Sequence, residues 1–266
     1  MKNVQLVVID PQNDFCDPKG ALYVPGAEED MGRVAKMVGP AGGQLTDIHV
    51  TIDSHHLVDV AHPIMWKNSR GEHPTPFTII TASDVENGVW APTSPGLTKR
   101  MLAYVQSLET GQRYPLCIWP PHCLIGSWGQ NVVPGLFDAL VKWEQEQFAV
   151  IDYVTKGSNI YTEHYGAVQA EVPDPQDPST QLNTPFIDTL READVVAICG
   201  EAGSHCLANT VRDIANKLGD DSHVKKFVLL IDGTSPVPGF ENLQDDFIKE
   251  MMGRGMQACK CADFLT

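Results

Sequence analysis

Short apolar runs recur along this chain, separated by longer stretches whose apolar positions return every three or four residues. The runs at Gln5–Ile9, Asp47–Ile52, Ala149–Val154, Val195–Cys199, Lys226–Ile231 and Met256–Cys261 predict strands. Between them, Glu28–Val38 sets Met31, Val34, Met37 and Val38 on one helical face. Helices are also predicted over Leu136–Trp143, Phe186–Glu192, Cys206–Lys217 and Phe240–Met252, with another near Leu97–Leu108. Strand and helix in alternation imply a mostly parallel sheet with right-handed crossovers and helices on both faces. The fold class is therefore α/β, a three-layer α/β/α arrangement around a doubly wound sheet.

Two regions break this rhythm. Residues 63–118 carry the punctuation HPTPF and APTSPG, and residues 169–185, QAEVPDPQDPSTQLNTP, are too rich in proline for a regular element. Both are read as insertions on one domain spanning residues 1–266, the first forming an inserted subdomain.

Composition narrows the function classes. Of 266 residues, 42% are apolar and 20% charged, ordinary values for a globular protein. A formal charge of −15 disfavours nucleic acid and anionic membranes as partners, because phosphates would be repelled. No apolar run reaches the ~18 residues of a membrane span, and the N-terminus lacks the pattern of a secretory signal. The seven cysteines are odd in number and scattered, without a C-x-x-C pair. Reduced thiols in a cytoplasmic setting fit them better than a disulfide framework or a four-cysteine zinc module. Cys259-Lys260-Cys261 is read as part of the last strand.

Candidate chemistry gathers where the predicted strands end. The stretch "AICGEAGSHCLANT" runs from strand through a glycine-containing turn to Cys206 at a helix start. There the macrodipole lowers a thiol's pKa, and Gly200 and Gly203 let backbone N–H groups converge as an oxyanion hole requires. Asp10 closes the first strand, and Lys156 follows the strand at Ala149–Val154. Each alone is commonplace: a helix-start cysteine, a turn-forming carboxylate, a surface lysine. In open parallel sheets, however, ligands bind outside the carboxyl ends of the strands, where all three can meet. After the second strand, Asp53 and His55 lie two apart on extended chain and point to one side. They suit two ligands of one metal, with His122 as a third, although on the residues alone hydrogen-bonding loop residues account for them better.

Taken together, IDPQNDF, the Lys156-Gly157 pair and GEAGSHCLANTVRD resemble the isochorismatase-like cysteine hydrolases, and among them the nicotinamidases most closely. "VVIDPQNDFCDPKGALYVPGAEE" is similar to that family's opening, with Pro11 where an apolar residue is commoner, and "IWPPHCLIGSWG" is similar to its W-P-x-H-C segment. The resemblance covers residues 4–62, 119–166 and 194–232. It implies a small amide as substrate, an Asp10–Lys156–Cys206 triad, and an oxyanion hole from the N–H groups of Ala202 and Cys206 behind a cis peptide at Glu201–Ala202. It further implies one divalent metal ion on Asp53, His55 and His122, zinc first among zinc, iron and manganese, holding a pyridine nitrogen. His62 enters as a further candidate ligand, though its H-x6-H spacing is longer than the family's usual form. Phe15, Trp119 and Tyr165 are the implied aromatic walls. His205 is read as structural, and His56 and Asp59 as bystanders. The implied reaction is deamination of nicotinamide to nicotinate through a cysteine thioester, in NAD salvage. The family also admits a homo-oligomer.

The stretch from His55 to His122 is longer than the resemblance accounts for. If it lines the pocket, a larger amide becomes the substrate, and Trp66, Trp90 and Trp128 are the candidate lid residues. Three alternatives stand beside nicotinamide hydrolysis. One is a cysteine hydrolase acting on another amide or carbamoyl compound. Another is isochorismatase proper, which does without a thiol nucleophile. The last is a silent binding module.

Overall fold

The computed structural model describes residues 2–111 and 114–265. Six strands form its central sheet: β1 (Val4–Ile9), β2 (Asp47–Asp53), β3 (Asp152–Lys156), β4 (Val195–Gly200), β5 (Phe227–Leu230) and β6 (Gln257–Cys259). All pairings are parallel, in the order β6–β5–β4–β1–β2–β3. The chain thus starts in the middle, winds to one edge, then returns across β1 to build the other half. The switch point lies between β1 and β4, where a parallel sheet opens a crevice at its carboxyl edge.

Both faces of the inner strands are covered, which is why they read as unbroken apolar runs. Leu6 and Val8 of β1 and Ala197 and Cys199 of β4 pack with helices α1 (Ala27–Ala41) and α3 (Pro134–Gln147). On the opposite side, Val7, Ile9, Val196 and Ile198 pack with α4 (Thr184–Arg191), α5 (Cys206–Leu218) and α6 (Glu241–Gly253). The three-layer α/β/α arrangement follows from this alternation.

Two predicted strands shift. The run Ala149–Val154 is replaced by Asp152–Lys156, so Lys156 is the last strand residue rather than the first loop residue. α3 ends on Phe148 in the left-handed region at φ 51°, and Phe148 and Val150 lie 98% and 81% exposed. Their hydrophobicity, which suggested a strand, is spent on a connector. The last strand stops at Cys259, because Cys261 N–H turns to the Asp232 carboxylate at 2.7 Å and begins a short 3-10 turn.

Residues 63–118 pack into a lobe of their own. Helix α2 (Thr98–Gly111) and two two-stranded pairings, Trp66–Lys67 with Ala91–Pro92 and Ile79–Ile80 with Leu116–Cys117, surround a third core. That core holds Met65, Trp66, Ile80, Met101 and Tyr104, and it also takes in Trp119 and Tyr165. Trp66 is fully buried, its indole N–H donating to Val60 O at 2.7 Å, and Trp90 packs against the same core. Residues 169–185 contain one 3-10 turn, Pro178–Thr180, and are anchored to the lobe by the Arg100–Asp174 ion pair. Among the described residues no helix is long and apolar enough to cross a membrane.

Gly200 shows how tightly β1 and β4 approach. At φ 108° it has the backbone of a residue without a side chain, and a Cβ there would lie 2.1 Å from Ile9 O. Gly200→Ala is expected to destabilise the fold by about 2–4 kcal/mol, read as a lowered denaturant midpoint.

Candidate functional site

The segment that follows β1 builds much of the site. Asp10 sits at its tip with φ 42°, its N–H donating to Thr51 Oγ1 at 2.9 Å while the Thr51 hydroxyl donates back to the Asp10 carboxylate. Gln12 grips the end of β2: its side-chain amide donates to Asp53 O and its carbonyl accepts from Asp53 N, each at 2.7 Å. Asp14 accepts from Cys123 N at 2.6 Å, and His55 N from the tip of β2 donates to Cys123 O at 3.0 Å. Those bonds draw the loop carrying His122 against the end of β2. Phe15 faces His122 edge-on at 5.4 Å between ring centroids.

Parallel register brings the charges together. Asp53 and Lys156 are direct partners across β2 and β3. The Lys156 ammonium, wholly buried, lies 2.9 Å from Asp10 Oδ2 and 3.0 Å from Asp53 Oδ1, and 3.7 Å from Cys206 Sγ. The thiol sulfur and the Asp10 carboxylate lie within 4.8 Å of each other. The three residues expected to converge are therefore in contact.

Their protonation follows from burial and neighbours. Burial pushes the Asp10 carboxyl up, with Lys156 pulling it back. Burial would lower Lys156, but Asp10 and Asp53 raise it well above the usual lysine range. Burial also raises the Cys206 thiol well above its ordinary value, which Lys156 only partly offsets. The helix start was expected to lower this thiol; desolvation outweighs it. At rest the site therefore holds a neutral thiol against Asp10, ready to give up its proton.

A second constellation shares Asp53. Its Oδ2 lies 3.1 Å from His55 Nε2 and 3.6 Å from His122 Nε2. His55 Nδ1 meets Asp59 Oδ2 at 3.1 Å and His122 Nδ1 meets Pro120 O at 2.8 Å, so both rings donate from Nδ1 and turn Nε2 inward. Asp59, read from sequence as a bystander, is thus the residue that orients His55. His62 donates from Nδ1 to His56 O and Leu57 O, leaving its buried Nε2 without a partner. Its ring centroid stands 5.4 Å from that of His55 and 5.5 Å from that of His122. His56 itself is exposed. Two imidazole lone pairs facing one carboxylate oxygen call for a cation between them, and the Asp53, His55 and His122 donor atoms lie within 4.8 Å of one another. This donor set fits a divalent metal. Gly157, at φ 87°, lets the backbone pass beneath the cluster, since a Cβ there would lie 2.7 Å from Asp53 Oδ1. Burial lowers the pKa of His62 to about 4, so this ring is neutral near pH 7.

Both constellations open into one pocket. Phe15, Trp119, Tyr165, Ala202 and Cys206 line it with Asp53 and His122. Trp119 donates its indole N–H to the Tyr165 hydroxyl at 3.1 Å, fixing two walls against each other. The peptide Glu201–Ala202 is cis.

Other lining residues escaped the sequence reading. His205, expected to be structural, faces the pocket and stacks on Tyr114 at 5.3 Å. Burial lowers its pKa to about 4, so it is neutral near pH 7. Glu163 and His164 also line the pocket, Glu163 N donating to the Tyr104 hydroxyl at 2.9 Å. The only signal for them was proximity to Tyr165. Of the tryptophans singled out, none lines this pocket; Trp128 is half-exposed on a separate surface groove. The inserted lobe instead reaches the site through Tyr104 and through Phe77, which packs edge-on to Trp119 at 5.8 Å.

No family model matches the chain. A nicotinamidase of Saccharomyces cerevisiae is 27% identical over 162 residues, an alignment covering 61% of this chain and 60% of that protein's length. The crystal structure of the yeast nicotinamidase bound to the inhibitor nicotinaldehyde superposes with a TM-score of 0.66 at 21% identity, over 97% of this chain and 99% of that one. A nicotinamidase/pyrazinamidase structure from Acinetobacter baumanii gives 0.66 at 19% identity, over 100% and 99%. The pyrazinamidase of Pyrococcus horikoshii in complex with zinc gives 0.57 at 19% identity, over 97% and 99%. The chain has the three-layer α/β/α fold of these nicotinamidase and pyrazinamidase structures.

Proposed function

We propose that this protein is a metal-assisted cysteine amidohydrolase that converts nicotinamide to nicotinate and ammonia, a step of NAD salvage. One observation carries the reading: a buried thiol–carboxylate–ammonium triad and a three-ligand metal set share Asp53–Lys156 and open into one aromatic-walled pocket.

The chemistry assigns a role to each residue. Asp10 takes the Cys206 proton as sulfur bonds to the amide carbon, and gives it to the departing nitrogen as the C–N bond breaks and ammonia leaves. Lys156 stabilises the anion that develops at sulfur and at the carbonyl oxygen, which the N–H groups of Ala202 and Cys206 receive. Water then cleaves the thioester, losing a proton to Asp10, and the acid departs as the thiol is restored. Phe15, Trp119 and Tyr165 sandwich a flat ring, worth about 0.5–1.5 kcal/mol per aromatic pair beyond burial. Asp53, His55 and His122 would hold the metal, zinc first, with His62 the candidate fourth donor. When bound, the ion supplies a Lewis-acid anchor for the pyridine nitrogen.

Cys206→Ala is expected to reduce ammonia release from nicotinamide to background while the circular dichroism spectrum and Tm stay near wild type. For His122→Ala we expect a rise in KM of ten-fold or more and metal content well below one ion per chain; an unchanged KM would remove the metal from the reading. Lys156→Met strands two buried carboxylates, so kcat should fall at least a hundred-fold and stability at pH 7 by about 3–5 kcal/mol. The stability loss depends on pH with a definite sign. Burial would raise the Asp53 carboxyl, but His55 and Lys156 hold it well below the usual 3.8, so its ion pairing stabilises the fold above that value and is lost as pH falls through the lower native one. The gap between wild type and Lys156→Met should therefore narrow on acidification, as followed by urea midpoints.

A further inference from the structure

Glu201, the residue before the pocket-lining Ala202, is fully buried yet has no part in the chemistry above. Its surroundings are specific. The turn at 200–204 is stitched to the segment 233–237: Gly200 N donates to Gly233 O at 2.8 Å, Gly203 N to Ser235 O at 2.9 Å, and Val237 N to Ser204 Oγ at 3.0 Å. Glu201 supplies a second side-chain acceptor for a backbone donor of the opposing segment, its Oε2 receiving Ser235 N at 3.1 Å. The same Ser235 donates its hydroxyl to Asp30 Oδ2 at 2.6 Å, so one serine bridges the two buried carboxyls. Asp30 is in turn paired with Arg33, whose Nε donates to Asp232 O at 2.6 Å.

Two buried carboxyl groups bridged by one serine repel each other when both are ionised, and the cation at hand, Arg33, is already paired with Asp30, so a proton on the other carboxyl relieves the site. Glu201 Oε1 has no other donor to accept from, so it is the oxygen placed to carry that proton. We propose that Glu201 is a positioning residue for the amidase reaction: as a neutral carboxylic acid bridging Asp30 and Ser235, it locks the turn that presents the Ala202 and Cys206 N–H groups to the substrate carbonyl. The proposal rests on the amidase reading only for its kinetic part. The titratable groups facing Glu201 are Asp30 and Arg33 of α1, Cys16 of the short helix Asn13–Cys16 and Cys199 of β4, with Asp232 acting through Arg33. Of these only Arg33 is cationic. Burial, and then Asp30, push Glu201 well above the ordinary carboxyl range, in accord with a retained proton.

Glutamine can imitate the neutral acid, since its amide donates to Asp30 and its carbonyl accepts from Ser235. Valine can do neither. Glu201→Val should lower kcat for nicotinamide at least ten-fold with KM within about two-fold, and Glu201→Gln should recover kcat to within about three-fold of wild type. The proton itself is read without any substrate. Because the native state binds a proton that the unfolded chain releases near pH 4.5, wild-type stability falls as pH rises above that value, whereas Glu201→Gln lacks this loss. The Tm of Glu201→Gln should therefore gain on wild type steadily from pH 5 to pH 8. A flat difference over that range, a Glu201→Val enzyme as fast as wild type, or a glutamine variant as slow as the valine one would each overturn the proposal. Should Glu201→Val fail to fold, the pH series on Glu201→Gln decides alone. Should wild type leave nicotinamide untouched, the amidase reading fails while that pH series still tests the shared proton.

Discussion

An ammonium without access to water, held between two carboxylates on neighbouring strand ends, organises this molecule. Lys156 meets Asp10 and Asp53 at 2.9 and 3.0 Å, and desolvating such a group is tolerable only because both anions are fixed in place. The fixing is done by backbone. Asp53 faces Lys156 by strand register, Thr51 holds Asp10 from the adjacent strand, and Gln12 clamps the peptide of Asp53. A one-residue slip of β3 would point the lysine to the other face of the sheet and leave both acids unpaired. The sheet's register and the site's chemistry are therefore one constraint.

Asp53 belongs to both halves of that site. One oxygen neutralises Lys156 and the other faces His55 and His122, so the charge that pairs with the lysine is also the carboxylate of the candidate metal set. Changes on either side are felt on the other through two carboxylate oxygens about 2.2 Å apart by ordinary covalent geometry. Nearby, burial keeps the rings of His62 and His164 uncharged, and for His164 this spares Asp53 a further cation.

Much of this was legible in the chain because it rests on local pattern. The unbroken apolar runs of β1 and β4 announce strands covered on both faces, and Asp10 and Cys206 stand where such strands end. The misplacement of β3 has a plain cause: Phe148 and Val150 are apolar but exposed, and no pattern separates an apolar connector from a strand start. Asp59, Glu163 and His205 went unrecognised for a different reason. Their roles arise from three-dimensional partners, a histidine ring four residues away, a tyrosine hydroxyl on the inserted helix, and an aromatic stack. Charge-bearing loop residues become informative only once the loops are folded.

The inserted lobe has no core separate from the pocket. Trp119 and Tyr165 are at once walls of the pocket beside Cys206 and members of the cluster around Trp66 and Met101. The shape of that pocket and the packing of the lobe therefore rest on the same side chains. Repacking the described residues of this lobe would reshape the pocket through side chains that do not line it.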